Sequence, residues 1–159
     1  MQHDHEPYMR LALDEANRSG EAVNRAVGAV IVHEGKVVGQ SGNRRESLKD
    51  PTAHAEVMAI REAARNLGRV DLSGCTLYST LEPCPMCCGA VIVSNISSVV
   101  VGARHPAEEN RWGEHTMEKG LSITGWDREN RLVTDVLSRE CLALLQKWDV
   151  RRSAARDQG

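Results

Sequence analysis

Three parts of the chain carry apolar residues at helical spacing, with charged residues at the positions between them. Two of these parts end at a glycine, which often follows the last turn of a helix. The apolar positions are Met9, Ala12, Leu13 and Ala16 before Gly20, then Val57, Ile60, Ala64 and Leu67 before Gly68, and finally Leu137, Cys141, Leu144 and Trp148. The pattern predicts a helix in each part.

Short runs rich in β-branched residues lie between these helices and predict strands. The strands are expected at 27–32, 36–39, 75–80 and 97–101, with a fifth at 123–126 or 131–133. Glu34 and Gly35 form a turn signal between the first two runs, which therefore predict a hairpin. The small and apolar residues from Pro83 to Val93 predict another helix, buried between the third and fourth strands.

A hairpin followed by alternating helices and strands favours a three-layer α/β/α sandwich around a mixed five-stranded sheet. A length of 159 residues fits one domain of ordinary size. We therefore expect a single domain over residues 1–150. The loosely composed stretch 151–159 is expected to be a disordered or frayed tail.

The composition is that of a globular protein, with 41% hydrophobic and 26% charged residues. No apolar run approaches the roughly 18 residues of a membrane span, and the first residues lack the pattern of a secretory signal. A cytoplasmic protein is expected. The formal net charge of -2 argues against a strongly cationic nucleic-acid binder, although a local basic patch stays compatible with it.

Cysteine and histidine residues indicate a metal site. Five cysteines are a poor disulfide framework, and Cys84 and Cys87 have the spacing that lets one helix face present two thiolates to one ion. His54 would be the third ligand, which leaves one tetrahedral zinc position open for water, as in catalytic sites. Glu56 is close enough in sequence to take a proton from that water.

Two other interpretations of these residues remain open at this point. A Cys-x-x-Cys pair at a helix start also serves thioredoxin-like redox proteins, although such proteins have no use for His54 or Glu56. A structural zinc module would need a fourth ligand, for which Cys88 is the candidate. Cys88 follows Cys87 directly, so on a helix its side chain points elsewhere.

The motifs around these residues resemble the zinc-dependent cytidine-deaminase superfamily. Asn43, the segment Asp-Pro-Thr-Ala-His-Ala-Glu at 50–56 and the segment Leu-Glu-Pro-Cys-Pro-Met-Cys at 81–87 carry the resemblance, which extends over about 27–102. They are similar to one branch in particular. It contains tRNA adenosine deaminases, guanine deaminases and fungal-type cytosine deaminases.

The resemblance implies a role for each matching residue. His54, Cys84 and Cys87 would hold Zn²⁺, and Glu56 would carry protons from water to a ring nitrogen and then to the leaving amine. The side chain of Asn43, the N–H of Ala55 and the carbonyl of Glu82 would bind the base. The resemblance also implies a homodimer, and an apolar helix after Cys84 is consistent with one.

The substrate class is inferred from charge. The segment 104–119 contains four acids and three bases, which is unlike a groove that follows an RNA backbone. We therefore expect a small-molecule substrate, a free nucleobase or related aminoheterocycle of nucleobase metabolism, with a tRNA adenosine as the alternative. Additional substrate contacts are expected from an acid and an aromatic, with Trp112, Glu114, Trp148 and Asp149 as candidates.

Overall fold

A computed structural model describes residues 4–109 and 111–159 of the chain. The helices among these residues are α1 (Glu6–Glu21), α2 (Arg45–Leu48), α3 (Ala55–Leu67), α4 (Pro85–Val93), α5 (Met117–Ser122) and α6 (Ser138–Asp157). The strands are β1 (Gly28–His33), β2 (Lys36–Gly42), β3 (Cys75–Leu81), β4 (Ser98–Ala103) and β5 (Arg131–Val133). Single 3-10 turns occur at Ala107–Glu109 and Trp126–Arg128.

The strands form one sheet in the order β2-β1-β3-β4-β5. β1 pairs antiparallel with β2 and with β3, whereas β3, β4 and β5 are mutually parallel along the sheet. Each parallel connection crosses over through helical chain, as parallel pairing requires. The prediction of a mixed five-stranded sheet in an α/β sandwich is confirmed.

Helices cover both faces of the sheet, and glycines allow two of them to approach closely. A Cβ on Gly28 of β1 would lie 1.9 Å from the carbonyl oxygen of Ala12 in α1. On the opposite face, a Cβ on Gly39 of β2 would lie 2.4 Å from the carbonyl oxygen of Ala59 in α3. α6 lies beside α1, and α4 lies beside α3. The sheet is thus enclosed between two helical layers.

Some elements differ from the expectation. The fifth strand is Arg131–Val133, whereas 123–125 form a turn after α5 and Trp126 begins a 3-10 turn. Residues 151–157, expected to be a disordered tail, continue α6 to Asp157. Their arginine and alanine residues favour a helix. The guanidinium of Arg151 also lies 4.8 Å from the ring centroid of Trp148, one turn earlier.

Candidate active site

The metal-ligand candidates lie at the starts of two helices on the same side of the sheet. His54 immediately precedes α3, and Cys84 immediately precedes α4, whose first residue is Pro85. Proline suits this position because the first helical N–H has no partner within the helix. Cys87 lies one turn further along α4 and points to the same place as Cys84.

The three side chains form a set that fits zinc. The Nδ1 atom of His54 lies 3.6 Å from the Sγ atom of Cys84 and 3.6 Å from that of Cys87. Ligands bound to one tetrahedral zinc at ordinary bond lengths are separated by about 3.6 Å. One imidazole and two thiolates suit this ion.

The electrostatics of the site favour a thiolate. Hydrogen bonding by the Cys87 thiol, assisted by His54, lowers the pKa of Cys84 to about 4. The start of α4 contributes in the same direction, since the positive end of the helix dipole stabilises a nearby anion. Cys88 lies outside the cluster and its thiol points at the carbonyl of Pro83, 3.6 Å away. It is therefore not placed as a fourth ligand.

Glu56 lies directly beside the ligands and is only 4% exposed. Its Oε2 atom is 3.5 Å from the Cys87 sulfur, and its Oε1 atom is 3.0 Å from the hydroxyl of Ser79. Burial raises the pKa of the Glu56 carboxyl, which suits a group that must both take and give a proton. Ser79, which sequence reasoning missed, is a small polar residue on the otherwise largely apolar strand β3.

The metal-ligand candidates and Glu56 form the floor of the site, and the residues expected to bind the base lie around it. Asn43 is buried, and its Oδ1 atom accepts a hydrogen bond from the Arg45 N–H at 3.0 Å, which fixes the amide plane. Ala55 is the first residue of α3, so its N–H has no acceptor within the helix. The side chain of Glu82 accepts from the N–H of His105 at 2.8 Å. The roles of Asn43, Ala55 and the Glu82 carbonyl stay predictions.

A cleft of about 640 Å³ opens above this floor. His54, Glu56 and Cys84 line its base, and Trp112 and Asp149 line its walls. Five arginines also line the cleft: Arg25, Arg45, Arg111, Arg152 and Arg156. The same cleft is lined by acids: Glu46, Glu82, Glu109 and Asp149. Cationic and acidic side chains thus surround the buried carboxyl of Glu56.

Two of the expected substrate contacts lie elsewhere. Trp148 packs against Gly20 of α1, and its indole N–H donates to the Asn17 side chain at 3.2 Å. Consecutive residues on a helix point about 100° apart, so Trp148 faces α1 while Asp149 faces the cleft. Glu114 is exposed and does not line the described cleft. The expectation that Trp148 and Glu114 contact substrate is not supported by this placement.

Arg25 organises the cleft wall and was not expected to do so. Its guanidinium donates to Glu109 at 2.6 Å and to Asp149 at 3.1 Å, so it joins the segment after β4 to α6. The partners are 84 and 124 residues away in sequence, which is why no local pattern indicated the contact. Asp149 lines the cleft, but its carboxylate is already engaged by Arg25.

Comparison with known proteins places this geometry in a family. Residues 2–103 match the family model described as the cytidine and deoxycytidylate deaminase zinc-binding region. This match covers more than half of the chain and includes His54, Glu56, Cys84 and Cys87. It identifies the chemistry of the cluster without specifying the substrate.

The names of individual relatives, unlike the family description, also state a substrate. The chain is 39% identical over 144 residues to a tRNA-specific adenosine deaminase of Bacillus subtilis, covering 90% of this chain and 87% of that protein. It is 49% identical over 98 residues to the tRNA-specific adenosine deaminase of Aquifex aeolicus, which is 62% of this chain and 65% of that one.

Similar solved structures include both tRNA deaminases and guanine deaminases. One reported in a study of A-to-I editing by tRNA:A34 deaminases at the wobble position superposes with a TM-score of 0.76 at 35% identity. The superposition covers 87% of this chain and 99% of that one. The chain belongs to the zinc-dependent deaminase family that shares the cytidine and deoxycytidylate deaminase zinc-binding region, and it is a zinc enzyme.

Proposed function

We propose that this protein deaminates an adenosine of transfer RNA to inosine, at the wobble position. The carrying observation is the arginine-lined cleft above the His54, Cys84 and Cys87 cluster, with buried Glu56 at its base. Relatives named as tRNA-specific adenosine deaminases support the same substrate.

The expectation of a free nucleobase substrate is wrong. It is overturned by the 34–49% identity to proteins named as tRNA adenosine deaminases and by the likeness to a tRNA:A34 deaminase structure. A small-molecule partner is not supported either. The alternative considered for the sequence, a tRNA adenosine, is the one that these comparisons favour.

The charge count misled because it could not show which charges are paired. Arg104 makes two hydrogen bonds to Glu118, and Glu109 is held by Arg25. Two of the four acids in 104–119 are thus neutralised within the protein, and Glu114 lies outside the cleft. The segment therefore presents one negative charge fewer to a ligand than its composition indicates, because the pairing of Arg104 with Glu118 removes a positive charge as well.

Several cleft arginines are left to meet a ligand. In the described part of the chain, Arg45, Arg152 and Arg156 form no ion pair within 4 Å, and the Nε atom of Arg45 is buried without a hydrogen-bond partner. Guanidinium groups suit phosphate oxygens because they can donate two parallel hydrogen bonds. α2 and α6 therefore bring cations to the cleft from two sides, as an RNA backbone would require.

The reaction replaces the amino group at C6 of adenine by oxygen from water. Zinc held by His54, Cys84 and Cys87 would lower the pKa of water to about 7. Glu56 accepts a proton from the attacking water and passes it to the ring nitrogen N1. It then takes the remaining proton of the hydroxyl at C6 and gives it to the amino group, which leaves as ammonia while C6 becomes a carbonyl. Burial beside Ser79 holds the carboxyl in place during these transfers.

The depth of the site sets a condition on the RNA. Glu56 and Asn43 are 4% and 7% exposed, so only a base that has left its stack can reach them. Bases in a single-stranded loop are extruded at lower cost than bases in a duplex. The geometry thus suits an adenosine in a tRNA loop.

The direct test is conversion of adenosine to inosine in an unmodified tRNA transcript that carries adenosine at the wobble position. Purified zinc-loaded protein should produce inosine there, detected after nuclease digestion, and should leave a transcript with guanosine at that position unchanged. Absence of inosine under conditions in which free guanine or cytosine releases ammonia would reject the proposal.

Substitution of Arg152 by glutamine is expected to raise the Kd for tRNA roughly tenfold, because one charge-assisted phosphate contact is lost. The salt dependence of log Kd should also become shallower, by a slope of about 0.7–0.9 per lost contact. Binding titrations at several salt concentrations measure both effects. The control is Arg139→Gln, an exposed position on the same helix outside the cleft, and equal losses in both variants would contradict the assignment.

A homodimer is also proposed, through α4. Met86 and Val93 of this helix are 37% and 84% exposed, and with Ala90 they form an apolar stripe at helical spacing. We expect sedimentation at micromolar concentration to show a dimer, and Val93→Asp to shift it towards monomer. A wild-type monomer would contradict the assignment.

A cytoplasmic location also stays a prediction. Among the described residues, no helix has the length and apolar character of a membrane span.

A further inference from the structure

We propose that Trp112 stacks on the base of a nucleotide next to the target adenosine and so holds single-stranded RNA at the mouth of the cleft. The inference rests on the proposed function and adds a second recognition element to it. Trp112 acts here as a binding residue for the flanking base, separate from the floor that receives the target base.

Trp112 lines the cleft and is more exposed than the buried residues at its floor. The residues at the floor are nearly inaccessible, with Glu56 at 4%, Cys84 at 5% and Glu82 at 8% exposure. Trp112 lines the same cleft but is only half-buried, and its neighbour Arg111 is exposed. A base that enters to reach Glu56 therefore leaves its neighbours in the chain at the level of Trp112.

The other aromatic rings of the chain are engaged elsewhere. Tyr8 and Tyr78 pack together with ring centroids 5.2 Å apart, and Trp126 is buried with its N–H bonded to the Ile96 carbonyl. Trp148 faces α1. All five aromatic residues lie in the described part of the chain, and among them Trp112 alone lines the cleft.

The surroundings of Trp112 suit a nucleotide. The guanidinium carbon of Arg111 lies 5.0 Å from the centroid of the indole ring, so a cation accompanies the flat apolar surface. The indole N–H has no hydrogen-bond partner among the described residues. Proteins that bind single-stranded RNA use this combination, an aromatic platform for the base with a cation near the phosphate.

The test measures binding of a hairpin RNA whose loop carries one adenosine, using the Glu56→Gln protein so that turnover is slowed. Trp112→Ala should weaken binding roughly 5- to 150-fold, the range found for loss of one base-aromatic stack. Trp112→Phe keeps an aromatic face and should lose much less. Binding of the intact hairpin by Trp112→Ala with unchanged Kd would overturn the proposal.

Abasic RNAs separate stacking from a structural role. Two further hairpins lack the base on the 5′ or the 3′ side of the adenosine. If Trp112 stacks on one of these bases, the loss caused by Trp112→Ala should disappear with the corresponding abasic hairpin. An equal loss with all three hairpins would mean that Trp112 only shapes the protein, and the proposal would fail.

Fluorescence supplies an independent readout. Stacking on a base should quench Trp112, so the Glu56→Gln protein should lose emission when the hairpin binds, and the abasic hairpin identified above should abolish that change. In Glu56→Gln/Trp112→Phe the remaining tryptophans should show no quench. A quench that persists in this double variant would count against Trp112 as the platform.

These outcomes are distinguishable from a failure of the proposed function. If wild-type protein converts adenosine to inosine in tRNA and Trp112→Ala binds the intact hairpin equally well, the function stands and the stacking proposal fails. If wild-type protein produces no inosine in tRNA, the function fails, whatever the Trp112 variants do.

Discussion

Glutamine at position 56 is expected to lower kcat for tRNA deamination by about 10²–10⁴-fold, the range that general acid-base catalysis contributes. The amide cannot accept the proton of the attacking water or return one to the leaving amine. Its size matches the carboxyl, so the contact with Ser79 and the packing around it should persist. Zinc content by metal analysis and Tm should therefore stay close to wild type.

The matched control for this variant is Glu62→Gln, on the same helix but away from the cleft, where the carboxylate accepts from the N–H of Gln40. It should deaminate tRNA at the wild-type rate. Full activity of Glu56→Gln would remove Glu56 from the proton-transfer role. Loss of zinc in that variant would show that Glu56 supports the metal site rather than the chemistry.

Cys84→Ala is expected to abolish both stoichiometric zinc binding and activity. One thiolate of the three-ligand set disappears, and two protein ligands hold zinc poorly. Zinc binding is coupled to folding when the ligands come from separate elements, as they do here on the starts of α3 and α4. The Tm should fall as well, and its difference from wild type should vanish when both proteins are treated with a chelator.

Cys88→Ala is the control for the metal prediction, because Cys88 is also a buried cysteine of α4 but lies outside the ligand cluster. Metal analysis of this variant should give one zinc per chain. Zinc retained by Cys84→Ala and lost by Cys88→Ala would reverse the ligand assignment and restore the structural zinc module as an interpretation.

The metal site could be predicted from the sequence because its information is local. Cys84 and Cys87 are one helical turn apart, Pro85 marks where that turn begins, and His54 and Glu56 belong to one short motif. Four of the strands were predictable for the same reason, since runs of β-branched residues are typical of buried strands. The fifth was left between two segments, because β5 is only three residues long. The short helices α2 and α5 have no long apolar stripe, and no such pattern indicated them.

The substrate class could not be predicted in this way. It depends on which charges remain unpaired in the folded protein, and the pairing of Arg25 with Glu109 and Asp149 joins distant parts of the chain. The direction in which Trp148 points could not be predicted for a related reason. Its place on the apolar stripe of the last helix was visible, but only the packing of that helix against Gly20 shows that it faces away from the cleft.

The attachment of α6 has a consequence for local stability. Its buried residues, Cys141 and Leu145, lie in the first half, while the second half is held by Trp148 and by the ion pair of Asp149 with Arg25. Segments with few buried contacts open at a lower free energy than the core. We therefore expect the wall that carries Arg152 to open at a lower free energy than the elements that carry the zinc ligands. The proposed RNA contacts and the metal site would then lie on parts of the protein that differ in stability.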